Sequence, residues 1–150
     1  MPNDDTAEET IMLKSLMTEI FGVGPHPEET SGHLHDLQWE KRILVIFSDP
    51  AGIKSQAQLL ALKADKDALR DRDLAVFSVD GNDVRPEFGS DVVPQAHMLR
   101  KELGCTPGTF ALVLVGKDGH VKARYDDVVE PALVFAEIDS MPMRRAEAGL

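Results

Sequence analysis

The chain has 150 residues, 43% hydrophobic and 28% charged, enough for one globular domain that buries roughly two-thirds of its unfolded surface. Its 26 acids against 16 bases give a formal charge of −10, which argues against nucleic acid and anionic membranes as partners, because phosphate binding requires clustered Lys and Arg. A protein or peptide partner of basic character fits that charge. One cysteine excludes an internal disulfide and a Cys-based structural zinc site, so nothing demands an oxidising compartment.

The first segment, "MPNDDTAEETIMLKSLMTEIFG", has acids where a secretory signal is positive, and Lys14, Ser15, Thr18 and Glu19 interrupt its apolar residues. It reads as neither signal peptide nor membrane span, and a cytoplasmic location is the expectation. Thr6 and Glu9 form a capping-box pattern, and Leu13, Leu16, Met17 and Ile20 recur at helical spacing. Residues 1–22 are therefore expected to form an amphipathic helix, which packs on its own domain, docks on a partner or pairs two copies of the chain as a homodimer. Residues 23–36, "VGPHPEETSGHLHD", are a turn-rich linker leading into a helical turn near Leu34 to Trp39.

From residue 37 the pattern becomes regular. "RILVIFSD" is a near-continuous apolar run with β-branched residues, as a strand covered on both faces requires. Asp49 and Pro50 read as N-cap and first-turn proline of a helix through Ile53, Ala57, Leu60, Ala64 and Leu69. A second strand covers Leu74 to Val79, and "GNDVRPEFGSD" follows as a loop. The next helix has the stripe Val92, Ala96, Leu99, Leu103, with Pro94 in its first turn and Gly104 just past its end. "TFALVLVGKDGHVKARY" is a hairpin turning at Asp118-Gly119, with Val121, Ala123 and Tyr125 opposed to a solvated Lys122 and Arg124. A last helix begins near Pro131 and runs through Leu133, Val134, Phe135 and Ile138.

The parallel pair in this order needs a right-handed crossover with helices on both sheet faces. The order matches an α/β thioredoxin-like fold, β-α-β-α-β-β-α, over residues 37–150, with the N-terminal helix added. Within it, "LQWEKRILVIFSD", "LVLVGKDGHVKARY" and "IDSMPMRR" resemble segments of a bacterial family, domain of unknown function 4174, whose domain type recurs in equarin and the sushi-repeat-containing proteins. The resemblance covers about residues 37–145 and implies a peroxiredoxin-like variant of the thioredoxin fold with no established activity. Family members of this type are exported, and the N-terminal 36 residues, which lie outside the resemblance, depart from them.

In thioredoxin-like redox enzymes a thiol sits after the first strand, at a helix start whose N–H groups and dipole stabilise a thiolate. That place reads Ser48-Asp49-Pro50-Ala51-Gly52, so a dithiol–disulfide cycle has no chemistry to run on. Asp49 is read as a cap in preference to a catalytic carboxylate. "PGTF", Pro107 to Phe110, resembles the segment that carries a cis-proline in this fold, which implies a cis Pro107 near the first helix. Cys105 would then lie near Asp49, whose charge disfavours a thiolate, so an inert thiol is preferred over a redox-active one.

His26, His33 and His35 with Glu28, Glu29 and Asp36 are imidazole and carboxylate groups of the type that bind zinc, nickel or copper, but their spacing matches no closed motif and a solvated loop is preferred. Met141, Met143, Arg144 and Arg145 suit an adaptable contact surface, although core closure by the methionines and neutralisation of acidic neighbours by the arginines is the plainer account. Phosphate-loop, dinucleotide, zincin and hydrolase motifs do not occur, and no cofactor is expected. The leading expectation is a non-enzymatic protein- or peptide-binding module with candidate contact residues Asp49, Pro50, Pro107, Met141, Met143, Arg144 and Arg145. The alternatives are a one-cysteine redox protein using Cys105 and metal binding through His26 to Asp36.

Overall fold

A computed structural model describes residues 34–149, so the expected N-terminal helix and most of the linker lie outside the described residues. Five strands form one mixed sheet: β1 Arg42–Phe47, β2 Leu74–Asp80, β3 Asp83–Phe88, β4 Ala111–Val115 and β5 Val121–Tyr125, in spatial order β3-β2-β1-β4-β5. The helices are α1 Ile53–Lys63, α2 Lys66–Asp71, α3 Ala96–Leu103, α4 Pro131–Asp139 and α5 Pro142–Glu147. The central part has the expected thioredoxin-like order, and β3 adds an edge strand to it. No described helix is long and apolar enough to cross a membrane.

β1 is central and buried along its whole length, as its unbroken apolar run requires. It pairs parallel with β2, Arg42 opposite Leu74 and Phe47 opposite Val79, and antiparallel with β4, Ile43 opposite Val115 and Phe47 opposite Ala111. Strand alternation divides its side chains between two cores. Ile43, Val45 and Phe47 join Leu99 and Leu103 of α3 on one face; Leu44 and Ile46 join Leu62, Leu69, Val134 and Ile138 of α1, α2 and α4 on the other. A 3₁₀ turn, Leu34–Leu37, leads into β1 and is tied to the β4–β5 hairpin through Gln38 Nε2 to the Asp118 carbonyl at 2.9 Å.

Four expectations are corrected. The loop "GNDVRPEFGSD" contains β3, paired antiparallel with β2; Pro86 is tolerated because β3 is an edge strand. Gly89 closes β3 with φ 84°, and a Cβ there would lie 2.2 Å from the Leu74 carbonyl oxygen, so only glycine permits this close return over β2. The single helix expected from Asp49 to Leu69 is two helices, because Asp65 accepts the Ala68 N–H at 3.0 Å and caps a new start. The next helix begins at Ala96, which leaves Val92 and Pro94 in the preceding segment.

The fourth correction concerns which side of α1 is buried. Its apolar stripe faces out, with Ile53 72% and Leu60 76% exposed and Ala57 and Ala64 exposed as well, while Ser55, Gln58 and Leu62 are buried. Polar bonds decide the rotation. Gln58 gives Nε2 to the Val129 carbonyl at 3.0 Å and accepts the Val129 N–H at 2.9 Å, which satisfies a buried amide and ties α1 to the segment before α4. The hairpin forms where expected, its turn spanning residues 116–120 with Gly119 at φ 84° and Asp118 accepting from the His120 N–H and from Lys122 Nζ, but Val121, expected on the covered face, is exposed.

Candidate functional site

Phe47 at the end of β1 lies opposite Ala111 at the start of β4, so the segment leaving β1 and the loop entering β4 open at the same end of the sheet. The N-terminus of α1 lies at this end. The residue at the N-cap position of α1 is Gly52 in the left-handed region, φ 73°, and it has no side chain to cap with. Asp49 caps from three residues earlier. Its Oδ2 accepts from the N–H groups of Ile53 at 3.0 Å and Lys54 at 3.2 Å, and its Oδ1 from Ser55 at 3.1 Å.

The carboxylate therefore occupies the place of an anion at the end of the helix dipole. Desolvation pushes the Asp49 carboxyl up, but the N–H groups of Ser55, Lys54, Asp49 itself and Ile53 outweigh it and hold the group below the usual carboxylate range. A carboxylate so bonded is a weak base and keeps the free helix amides from any other anion. Pro50 is exposed beside it in the turn that precedes the Gly52 N-cap, so it is not the first-turn proline that the sequence pattern suggests.

Pro107 lies in an exposed turn, Thr106 to Thr109, and is trans: no cis peptide bond occurs among the described residues. Gly108, with φ 83°, allows the turn to reverse without one. Cys105 follows Gly104, the left-handed C-cap of α3, and is half-buried against the core under α3. Its partners come from other elements than α1. Arg124 Nη1 of β5 donates to Cys105 Sγ at 3.0 Å, Arg124 Nη2 donates to the Leu103 carbonyl, and the Cys105 N–H bonds the Arg100 carbonyl at 3.0 Å. The charged group in hydrogen-bond contact with the thiol is thus a guanidinium. The hairpin pattern points Arg124 to solvent, and no local sequence signal links two positions 19 apart.

The C-terminal candidates lie at the other end of the sheet. Glu147 meets Arg42 at the start of β1, whereas Asp49 follows its last residue, and a six-residue strand separates its ends by about 17 Å. Met141 packs half-buried on the second core, Met143 is exposed and Arg145 is exposed. Arg144 is engaged within the domain, with Nη2 on Asp71 Oδ2 at 2.6 Å, Nη1 on the Asp71 carbonyl at 3.0 Å and Nε on Asp139 Oδ1 at 3.2 Å. Arg72 holds the same Asp139 with two hydrogen bonds, at 3.1 and 2.9 Å, and stacks its guanidinium 4.6 Å over Phe135.

Two surface recesses, of about 400 and 340 Å³, lie beside Asn82–Val84 with Val93–His97, and beside Lys41, Leu103 and the hairpin turn. Neither is lined by Asp49, Cys105 or Pro107. Among the described residues no group of three or more His, Cys, Asp or Glu is placed to hold a metal. The metal candidates His26, Glu28, Glu29 and His33, and the side chain of His35, lie outside the described residues.

Residues 33–147 match the family described as Domain of unknown function (DUF4174), and the chain belongs to it. Coiled-coil domain-containing protein 80 of Danio rerio is 28% identical over 142 residues, which cover 83% of this chain and 16% of that protein. Sushi repeat-containing protein SRPX of Homo sapiens is 33% identical over 126 residues, covering 79% of this chain and 27% of that protein. The chain thus spans less than a third of either relative. Among solved structures, the reduced 2-Cys peroxiredoxin of Plasmodium vivax superposes with a TM-score of 0.52 at 13% identity, covering 75% of this chain and 72% of that one. Plasmodium yoelii Prx1a superposes with the same score at 16% identity, covering 75% and 80%. At these identities the likeness establishes the thioredoxin fold and nothing about activity.

Proposed function

We propose that this member of the DUF4174 family is a non-catalytic thioredoxin-like module that binds a protein or peptide. The observation that carries the reading is the Asp49 carboxylate seated on three amides where a redox enzyme of this fold needs a thiolate. Beside it, α1 presents Ile53 and Leu60 to solvent, apolar side chains of the kind that anchor protein contacts. Charge supports a basic partner. Residues 1–33 hold seven acids and one base, a net −6, and the remaining residues carry −4, so the attraction is concentrated at the N-terminal segment.

Capture from cell extract at low salt tests the reading, comparing the wild-type chain with an Ile53→Ser/Leu60→Ser double variant. Specific capture that weakens with added salt and is lost in the double variant is expected. Equal capture by both proteins, or none by either, would sink the proposal.

A second reading rests on the Arg124–Cys105 contact, which places a cation 3.0 Å from the sulfur, as a one-cysteine redox protein would need. In that case Cys105 is oxidised by a peroxide to the sulfenic acid and reduced by an external thiol. Iodoacetamide rates measured across pH separate the two: a thiol titrating below about 7, moved upward by Arg124→Gln, favours redox chemistry, and an ordinary profile in both proteins rejects it.

A further inference from the structure

None of the six residues of α5 is buried, yet its charged side chains reach four other parts of the domain. Arg144 is bound to Asp71 of α2 and Asp139 of α4, as described above. One turn on, Glu147 accepts Arg42 Nη1 of β1 at 3.1 Å on Oε1 and Arg42 Nη2 at 3.2 Å on Oε2. Lys117 Nζ, from the hairpin turn, reaches Oε2 at 2.7 Å and also Asp73 Oδ2, in the turn before β2, at 2.8 Å. The helix is therefore fastened by charge, with the half-buried Met141 just before it as its nearest apolar anchor.

What Glu147 sits on is unusual for a surface ion pair. Arg42 is 1% exposed and the Lys117 side chain 9%, and the Nε of Arg42 is buried without a hydrogen-bond partner. A covered guanidinium fork and a covered ammonium converge on one pair of oxygens, the geometry by which proteins recognise carboxylate and phosphate. With Glu147 withdrawn, Lys117 would keep the carboxylate of Asp73 and the Arg42 guanidinium only the Arg72 carbonyl, at 2.9 Å, leaving a site of net positive charge. Desolvation pushes the Glu147 carboxyl up, and Arg42 and Lys117 outweigh it, so the occupant stays ionised at neutral pH.

We propose that α5 is a displaceable strap and that Arg42 and Lys117 beneath it form an oxyanion site, for which Glu147 is the built-in occupant and a carboxylate or phosphate group the external one. The site is at the opposite end of the sheet from Asp49 and is independent of the reading given for α1. The strap blocks the site when docked and opens it when lifted, so occupancy by an outside oxyanion and docking of α5 exclude each other. The displacement is a conformational equilibrium that makes or breaks no covalent bond, and a ligand shifts it by binding only the open state.

The test uses the full chain, wild type and Glu147→Gln, with amide hydrogen exchange followed over 142–149 and over β1 and β4. Thermal melts are run in parallel with inorganic phosphate, acetate or chloride at matched ionic strength. In Glu147→Gln, exchange over 142–149 is expected to rise about tenfold or more, as loss of roughly 1.4 kcal/mol of docking would give, with β1 and β4 unchanged. Phosphate, and more weakly acetate, should raise the melting midpoint of Glu147→Gln well beyond that of wild type, and adding Lys117→Gln should abolish the gain. A phosphate response without an acetate response assigns the site to phosphate, and the reverse to carboxylate.

Wild-type protein in NaCl up to about 1 M, where screening shortens to about 3 Å, is the second measurement and does not depend on the variant folding. A charge-held strap then exchanges faster while the sheet does not. Exchange that rises in the strap and in β1 together shows that α5 is integral to the core and overturns the proposal, and so does a melting midpoint of Glu147→Gln that neither phosphate nor acetate moves.

Discussion

Asp49 takes three hydrogen bonds from the amides at the start of α1, and it does so as a fixed part of the chain. Because its folded-state pKa is depressed, its contribution to stability is present above the ordinary Asp value and is lost as the pH falls through the lower folded value. Asp49→Asn keeps one acceptor oxygen and loses the charge. Its melting midpoint at pH 7 is expected to fall below wild type, and the gap should close as the pH is lowered below about 4. A gap that stays constant across that range would show that the charge contributes nothing. That the Asp49 carboxylate caps the helix was legible in the sequence, since Asp before a helix is a favoured cap, but the N-cap position itself falls three residues later, on Gly52. The placement of Arg124 against Cys105 was not, because it depends on β5 folding back beside the end of α3.

α1 shows why an element can be recognised while its orientation is misread. Spacing of Ile53, Ala57, Leu60 and Ala64 gives a helical stripe, but the pair of bonds between Gln58 and Val129 turns the other side inward. Leu62, fully buried among the second core, should cost about 2–5 kcal/mol when replaced by Ala. Leu60→Ser should change stability by no more than about 0.5 kcal/mol. Urea melts of the two variants decide the matter, and comparable losses would mean that the outward face is covered. β3 was hidden for a different reason. Pro86 and Asp83 are poor strand residues by propensity, and only pairing with β2 at the sheet edge makes an extended segment of them.

Across the whole molecule, charge fastens the C-terminal end to the sheet. The carboxyls of Asp118, Asp139 and Glu147 are all held below their ordinary range by basic partners: Lys122 chiefly for Asp118, Arg72 chiefly for Asp139, and Arg42 and Lys117 against desolvation for Glu147. Their contributions are present above the ordinary carboxylate values and disappear as the pH falls through the depressed ones. Lys117 has the opposite sign. Desolvation lowers it, Asp73 and Glu147 outweigh that and raise it, so its contribution is complete below the ordinary lysine value and is lost only as the pH climbs through the raised one. Unfolding free energy measured by urea from pH 3 to 10 should therefore hold level through neutrality and drop below about pH 4. A maximum at the isoelectric point near 4.8 would contradict this.

By itself the sequence determined what local pattern and composition can decide: a buried central strand from "RILVIF", a hairpin from "KDG", helix ends at Gly104 and Pro131, and the lack of a thiol after the first strand. These follow from side-chain period, turn chemistry and the inventory of reactive groups, all of which act over a few residues. The tertiary structure alone decided which face of α1 is buried, that Pro107 is trans in an exposed turn, that Cys105 meets a guanidinium, and that Arg42 and Glu147, 105 positions apart, form one ion pair. Each of these is a choice of partner across the chain, made by the competition among all buried polar groups for hydrogen bonds, and no local pattern encodes its outcome.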